Sequence, residues 1–136
     1  MDTFQQRVEE LKGVLNSLLA ATPYGFDESL RSNVPGEPRL YMIFTRSNGL
    51  EEVLRAGRAS GEGGLRQRVY QNHLMGDQSG NLRKQLVRAQ ICPDLTEAKA
   101  WIRANCSVRF LVMEDENTLR WGEHFVLSVL RPRFCD

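Results

Sequence analysis

Residues 39–58, RLYMIFTRSNGLEEVLRAGR, decide the fold. The aromatic and β-branched content of 39–45 reads as a strand, with Tyr41 and Ile43 on one face by alternation. Ser47-Asn48-Gly49 is a turn signal, and residues 51–58 read as a second strand. Together they predict an antiparallel hairpin.

Working outward, Phe4, Val8, Leu11, Leu15 and Leu18 recur at helical spacing behind Asp2, an N-cap residue type. This predicts an amphipathic helix over the first twenty residues, ended by Pro23 and Gly25. Turn formers at 32–38, SNVPGEP, then lead into the hairpin. Beyond it, Gly57, Gly61, Gly63 and Gly64 give a loop that lacks both the ending of a P-loop and the spacing of a dinucleotide fingerprint, so it is no phosphate cradle. Helices are predicted over 65–74, 81–90 and 96–105, the last capped by Thr96 with Ala98, Trp101 and Ile102 inward. A third strand follows over 108–113, and a last helix over 118–130 stops before Pro132. The class is α/β in the α+β sense, with a helical extension over 1–34 and one domain over 35–136.

A chain of 136 residues can bury a core without staples. Its net charge of +1 says little, but the distribution says more. Residues 1–37 carry three basic against six acidic side chains, whereas 55–88 carry seven against two. The seven are Arg55, Arg58, Arg66, Arg68, Arg83, Lys84 and Arg88, and their clustering points to a positive face for a polyanion. Cys92, Cys106 and Cys135 show neither a disulfide framework nor zinc spacing, which fits a reducing cytosol. With no bilayer-length apolar run and no signal-peptide profile, the expected location is cytoplasmic.

The stretch 119–135, LRWGEHFVLSVLRPRFC, contains one carboxylate out of place. Leu119, Glu123, Val126 or Leu127, and Leu130 form one helical row, so Glu123 interrupts an apolar stripe. A carboxylate there needs an arginine, a metal ion or a proton.

The order and landmarks of these elements resemble the GIY-YIG nuclease superfamily, a small domain with a three-stranded antiparallel sheet flanked by helices. The likeness runs from about Pro35 to Cys135. Pro38-Arg39-Leu40-Tyr41 looks like the family's opening, with Tyr41 on its tyrosine and Arg39 in place of glycine. Arg55-Ala56-Gly57-Arg58 is similar to its second motif, keeping the glycine and the basic residue and replacing tyrosine with Arg55. Leu65-Arg66-Gln67-Arg68-Val69, followed by His73-Leu74, resembles the helix that carries the family's catalytic arginine, here Arg68. In the family's tail a glutamate is followed nine positions later by proline and three further on by asparagine. Glu123 and Pro132 keep those places, and Cys135 stands at the third.

The resemblance implies a DNA endonuclease. Phosphodiester hydrolysis needs a metal ion to neutralise charge, a group at the attacking water and a cation on the phosphoryl oxygens. Glu123 would then be the hard oxygen ligand for Mg²⁺ or Mn²⁺, Arg68 the phosphate clamp, and Tyr41 the residue at the water. His73 would stand near the site as a further catalytic candidate. Arg55, Gly57, Arg58, Arg66, Arg83, Lys84 and Arg88 would follow the DNA backbone, and a second protein would supply targeting. Two rival readings stand beside this one. One is a nucleic-acid-binding module that has lost turnover, and the other an interaction protein or homodimer docking through the stripe of the first helix.

Overall fold

The structure, a computed structural model, describes residues 2–27, 39–59 and 81–134. The helix expected over 65–74, with Arg66, Arg68 and His73, lies outside these, as does Cys135. In chain order the described elements are α1 (Thr3–Leu19), β1 (Tyr24–Gly25), β2 (Arg39–Ser47), β3 (Leu50–Ala59), α2 (Leu82–Arg88), α3 (Leu95–Asn105), β4 (Cys106–Val112) and α4 (Glu116–Leu130). The class is α+β, as the sequence indicates. Among the described residues the sheet has four strands rather than three, in the order β1-β4-β2-β3 and antiparallel throughout. The additional strand is a two-residue pairing of Tyr24 with Val108 and Gly25 with Ser107, too short to leave an alternating pattern. It is held by Tyr24 stacking on Phe110 at 5.4 Å between ring centroids.

The hairpin forms where expected because Asn48 and Gly49 both take positive φ, 54° and 78°, the backbone of a two-residue turn whose twist suits paired strands. A Cβ at Gly49 would meet no atom, so its requirement is purely conformational. Gly49→Ala should therefore lower stability by about 1 kcal/mol through backbone strain alone, read as a shifted urea midpoint with an unchanged slope.

A bulge between Ile43 and Phe44 sets which side chains share a face, because Ile43 pairs with Arg55 and Phe44 with Val53. Leu54 is the extra residue. Val53 thereby packs with Leu40, Met42 and Phe44, while Arg55 and Gly57 stay opposite Ile43 and Tyr41. The first face is covered by Leu18 of α1 and by Leu119 and Val126 of α4. Covering the second are Leu82 and Leu86 of α2 and Ala98 and Ile102 of α3, with Tyr41, Ile43 and Val108 beneath them. Helices thus lie on both faces of the sheet, and the buried aliphatic side chains supply the main stabilisation.

Local signals set the helix ends. Asp2 caps α1 in a reciprocal box with Gln5. For α3 the cap is Asp94, which accepts from the Glu97 N–H at 2.8 Å, and not Thr96. Both residue types cap well, and the aspartate directly after Pro93 sits two residues closer to the chain's entry. Likewise α4 begins at Glu116, capped by Asp115, and ends at Arg131 in the left-handed region, just before Pro132. Only the second half of the α1 stripe meets the body: Leu18 is buried and Val14 and Leu15 are half-buried, whereas Phe4 is 73% exposed. Among the described residues no helix is long and apolar enough to cross a membrane.

Candidate active site

Among the described residues β3 is an edge strand, with β2 on one side only, so its outward N–H and C=O groups need other partners. The fold supplies them from the C-terminal elements. Arg133 N–H donates to Val53 O at 3.0 Å, and Phe134 N–H to Leu54 O at 2.9 Å. Further along, Glu123 on α4 reaches the same edge. Its Oε2 accepts from the Arg58 N–H at 2.9 Å, and its Oε1 lies 3.6 Å from Arg58 Nε.

The row seen in the sequence is present, since Leu119 and Val126 are buried, but Glu123 projects from its margin with its side chain 20% exposed. Position in the helix thus explains both halves of its environment. The stem leans on the apolar face while the carboxylate reaches the strand edge, where an N–H satisfies one oxygen.

Gly57 is where the carboxylate meets Tyr41. A Cβ built there would stand 3.3 Å from Tyr41 Oη and 3.6 Å from Glu123 Oε2. Without a side chain at this position, the phenol from the central strand and the acid from the last helix approach one point. Tyr41 itself is 1% exposed, packed among Phe26, Ile43 and Leu54. Its place in the core and its place in the site are the same place.

Buried cations share this tyrosine's face of the sheet. Arg55 and Arg39 both lie on its face of the sheet, each 3% exposed. Arg55 Nη1 donates to Gln85 Oε1 of α2 at 3.3 Å, so Arg55 faces inward toward a helix and not along an outer path. Arg39 stands over the Phe110 ring at 4.9 Å. Sequence reading treats Arg39 only as a departure from the family's glycine, although alternation with Tyr41 and Ile43 already assigns it to this face. Arg58 joins the site through its backbone and its guanidinium, with its side chain 34% exposed. On α2, Arg83 and Lys84 are half-buried and Arg88 is exposed.

The described residues therefore bring together Tyr41, Gly57, Arg58 and Glu123, with Arg55 and Arg39 behind them. They contain no cluster of three or more side chains of metal-ligating type. The donor set that these described residues offer to a cation is a single carboxylate, whose Oε1 is farther from Arg58 Nε than a hydrogen bond reaches. That suits a small divalent ion which keeps most of its waters and takes further oxygens from a phosphate, and it does not suit a fully protein-caged ion. Comparison of the chain with family models, with curated proteins and with solved structures finds no match.

Proposed function

We propose that the protein is a metal-dependent endonuclease of GIY-YIG type that hydrolyses phosphodiester bonds in DNA. The observation that carries this reading is the approach of the Glu123 carboxylate and the Tyr41 hydroxyl to one point at Gly57. Glu123 Oε1 would hold Mg²⁺ or Mn²⁺, which supplies charge neutralisation at the phosphate. Tyr41 orients the attacking water by hydrogen bonding, with the buried guanidinium groups of Arg39 and Arg55 on the same face of the sheet. Arg58 presents its guanidinium beside the carboxylate to the phosphoryl oxygens. Arg68 would add the clamp that the family resemblance implies.

The test is incubation of supercoiled plasmid with the purified protein and Mg²⁺ or Mn²⁺. Nicking is expected for the wild type, and Glu123→Ala and Arg68→Ala should each reduce it by about a hundredfold or more. Contacts made mainly to phosphates also predict weak sequence preference and a steep loss of binding with salt.

Two observations favour a second reading, a nucleic-acid-binding module without turnover. Glu123 Oε2 already accepts a backbone N–H, and Tyr41 is closed off from solvent. Protein that retards DNA in a gel yet cuts it with neither ion would select that reading.

A further inference from the structure

The edge of β3 carries a second concave feature beyond Glu123. Where the tail lies along Val53 and Leu54, a shallow hollow of about 360 Å³ opens between it and the end of α2. Gln85, Arg88, Ala89, Arg133 and Phe134 line it. Two guanidinium groups, an amide and an aromatic ring are the side-chain chemistry that recognises a phosphate joined to a planar base. Among the described residues that line it there is no acid.

The walls are built rather than incidental. Gln85 is 9% exposed, and its Oε1 is committed to Arg55, which fixes the amide and leaves its N–H₂ donors as its remaining hydrogen-bonding capacity. The Phe134 ring is packed against the buried cluster on one side of the sheet, with the Arg133 guanidinium 5.4 Å from its centroid. Arg133 Nη1 also lies 3.3 Å from Glu52 Oε1, an exposed pair that a phosphate can displace because such pairs contribute little in water. The volume lies within the range of small-ligand sites.

Position adds to composition. Four residues of β3 separate Leu54, beside the hollow, from Arg58, beside Glu123, a distance of about 13 Å along a strand. That span is on the order of two nucleotide steps along one strand of a B-form duplex, once its winding about the axis is added to the rise.

We propose that this hollow is a nucleotide subsite, in which Arg88 and Arg133 take the phosphate and the base packs against Phe134 with Gln85 at its edge. Its assignment to the path of the cleaved strand rests on the nuclease reading above. The subsite would hold a nucleotide on one side of the scissile bond and so fix the register in which DNA crosses Glu123.

The experiment is titration of the full chain with dAMP, deoxyadenosine and inorganic phosphate, followed by calorimetry and by chemical shifts of the Gln85 and Phe134 signals. The expected result is binding of dAMP, with deoxyadenosine and phosphate each weaker. Arg133→Gln and Phe134→Leu, which keep the tail's backbone bonds and its apolar packing, should each weaken dAMP binding about tenfold. Glu52→Gln should tighten it by releasing Arg133. Absence of dAMP binding at millimolar concentration, or equal affinity in Arg133→Gln and Phe134→Leu proteins with wild-type circular dichroism, overturns the subsite. Plasmid nicking without dAMP binding would remove the subsite and leave the nuclease, whereas dAMP binding with these dependences but no nicking would keep the site and remove the nuclease.

Discussion

If the proposed nuclease reading holds, Glu123→Gln protein should fold as the wild type does and lose DNA nicking by about a hundredfold or more. The substitution separates the two duties of this side chain. An amide oxygen still accepts from the Arg58 N–H that Glu123 Oε2 now receives at 2.9 Å, so the strand edge remains capped. What disappears is the negative charge, and with it the ion pair with Arg58 and the charge that the proposed reading assigns to a divalent cation. Exchanging a charged acceptor for a neutral one at this partly exposed position should cost about 1 kcal/mol or less, a few degrees in Tm. Glu123→Ala is less informative, because it exposes the N–H as well and mixes a stability loss into the activity loss. Mn²⁺ binding followed by electron paramagnetic resonance gives a readout apart from turnover and should weaken in parallel. Gln protein that nicks at the wild-type rate would remove Glu123 from the chemistry altogether.

The same residue shows where sequence reading stops. That an acid lies in the row of Leu119 and Val126 is visible from spacing, and both neighbours are indeed buried. That its partner is a main-chain N–H on an edge strand is not visible, because no side-chain pattern encodes a backbone donor. The hairpin was legible for the opposite reason: alternation and an Asn-Gly turn are local signals, and both strands pair around that turn. The bulge at Ile43 and Phe44 is not local, since it adjusts β3 to cover two packed faces, and it keeps Arg55 beside Tyr41 and inside the molecule. Reading Arg55 from charge alone places it on an outer surface; reading it from strand parity beside Gly57 places it under α2. Helical spacing similarly gave the apolar face of α1 but could not say how far along that face the body of the protein extends, which is why Phe4 projects into solvent.

Arg109→Met should be the most destabilising single change at a polar position of this sheet, by about 2–4 kcal/mol. Arg109 is 8% exposed in the middle of β4 and ties together three parts of the chain. Its Nη1 and Nη2 donate to the two oxygens of Glu51 on β3 at 2.8 and 2.9 Å, and its Nε donates to Ala21 O, just past α1, at 3.1 Å. The guanidinium also covers the Phe44 ring at 4.3 Å from its centroid. Methionine keeps much of the apolar contact and removes every one of the hydrogen bonds. The acid side of the stability curve then reports the mechanism. The bonds from Arg109, followed by those from Arg46, hold the Glu51 carboxyl below its ordinary value of 4.5. A carboxyl lowered on folding contributes stability that is fully present above the unfolded value and is lost as pH falls through the folded one. The gap between wild type and Arg109→Met should therefore be widest near pH 7 and narrow below pH ~4, as Glu51 takes up a proton in the wild type and surrenders the pair. Arg46, 2.7 Å from Glu51, is left in place by the substitution, so the variant's acid limb should become shallower without becoming flat. Urea midpoints measured across that interval decide the matter, and curves that stay parallel down to pH 3 would show that Arg109 stabilises the sheet through packing over Phe44 and not through Glu51.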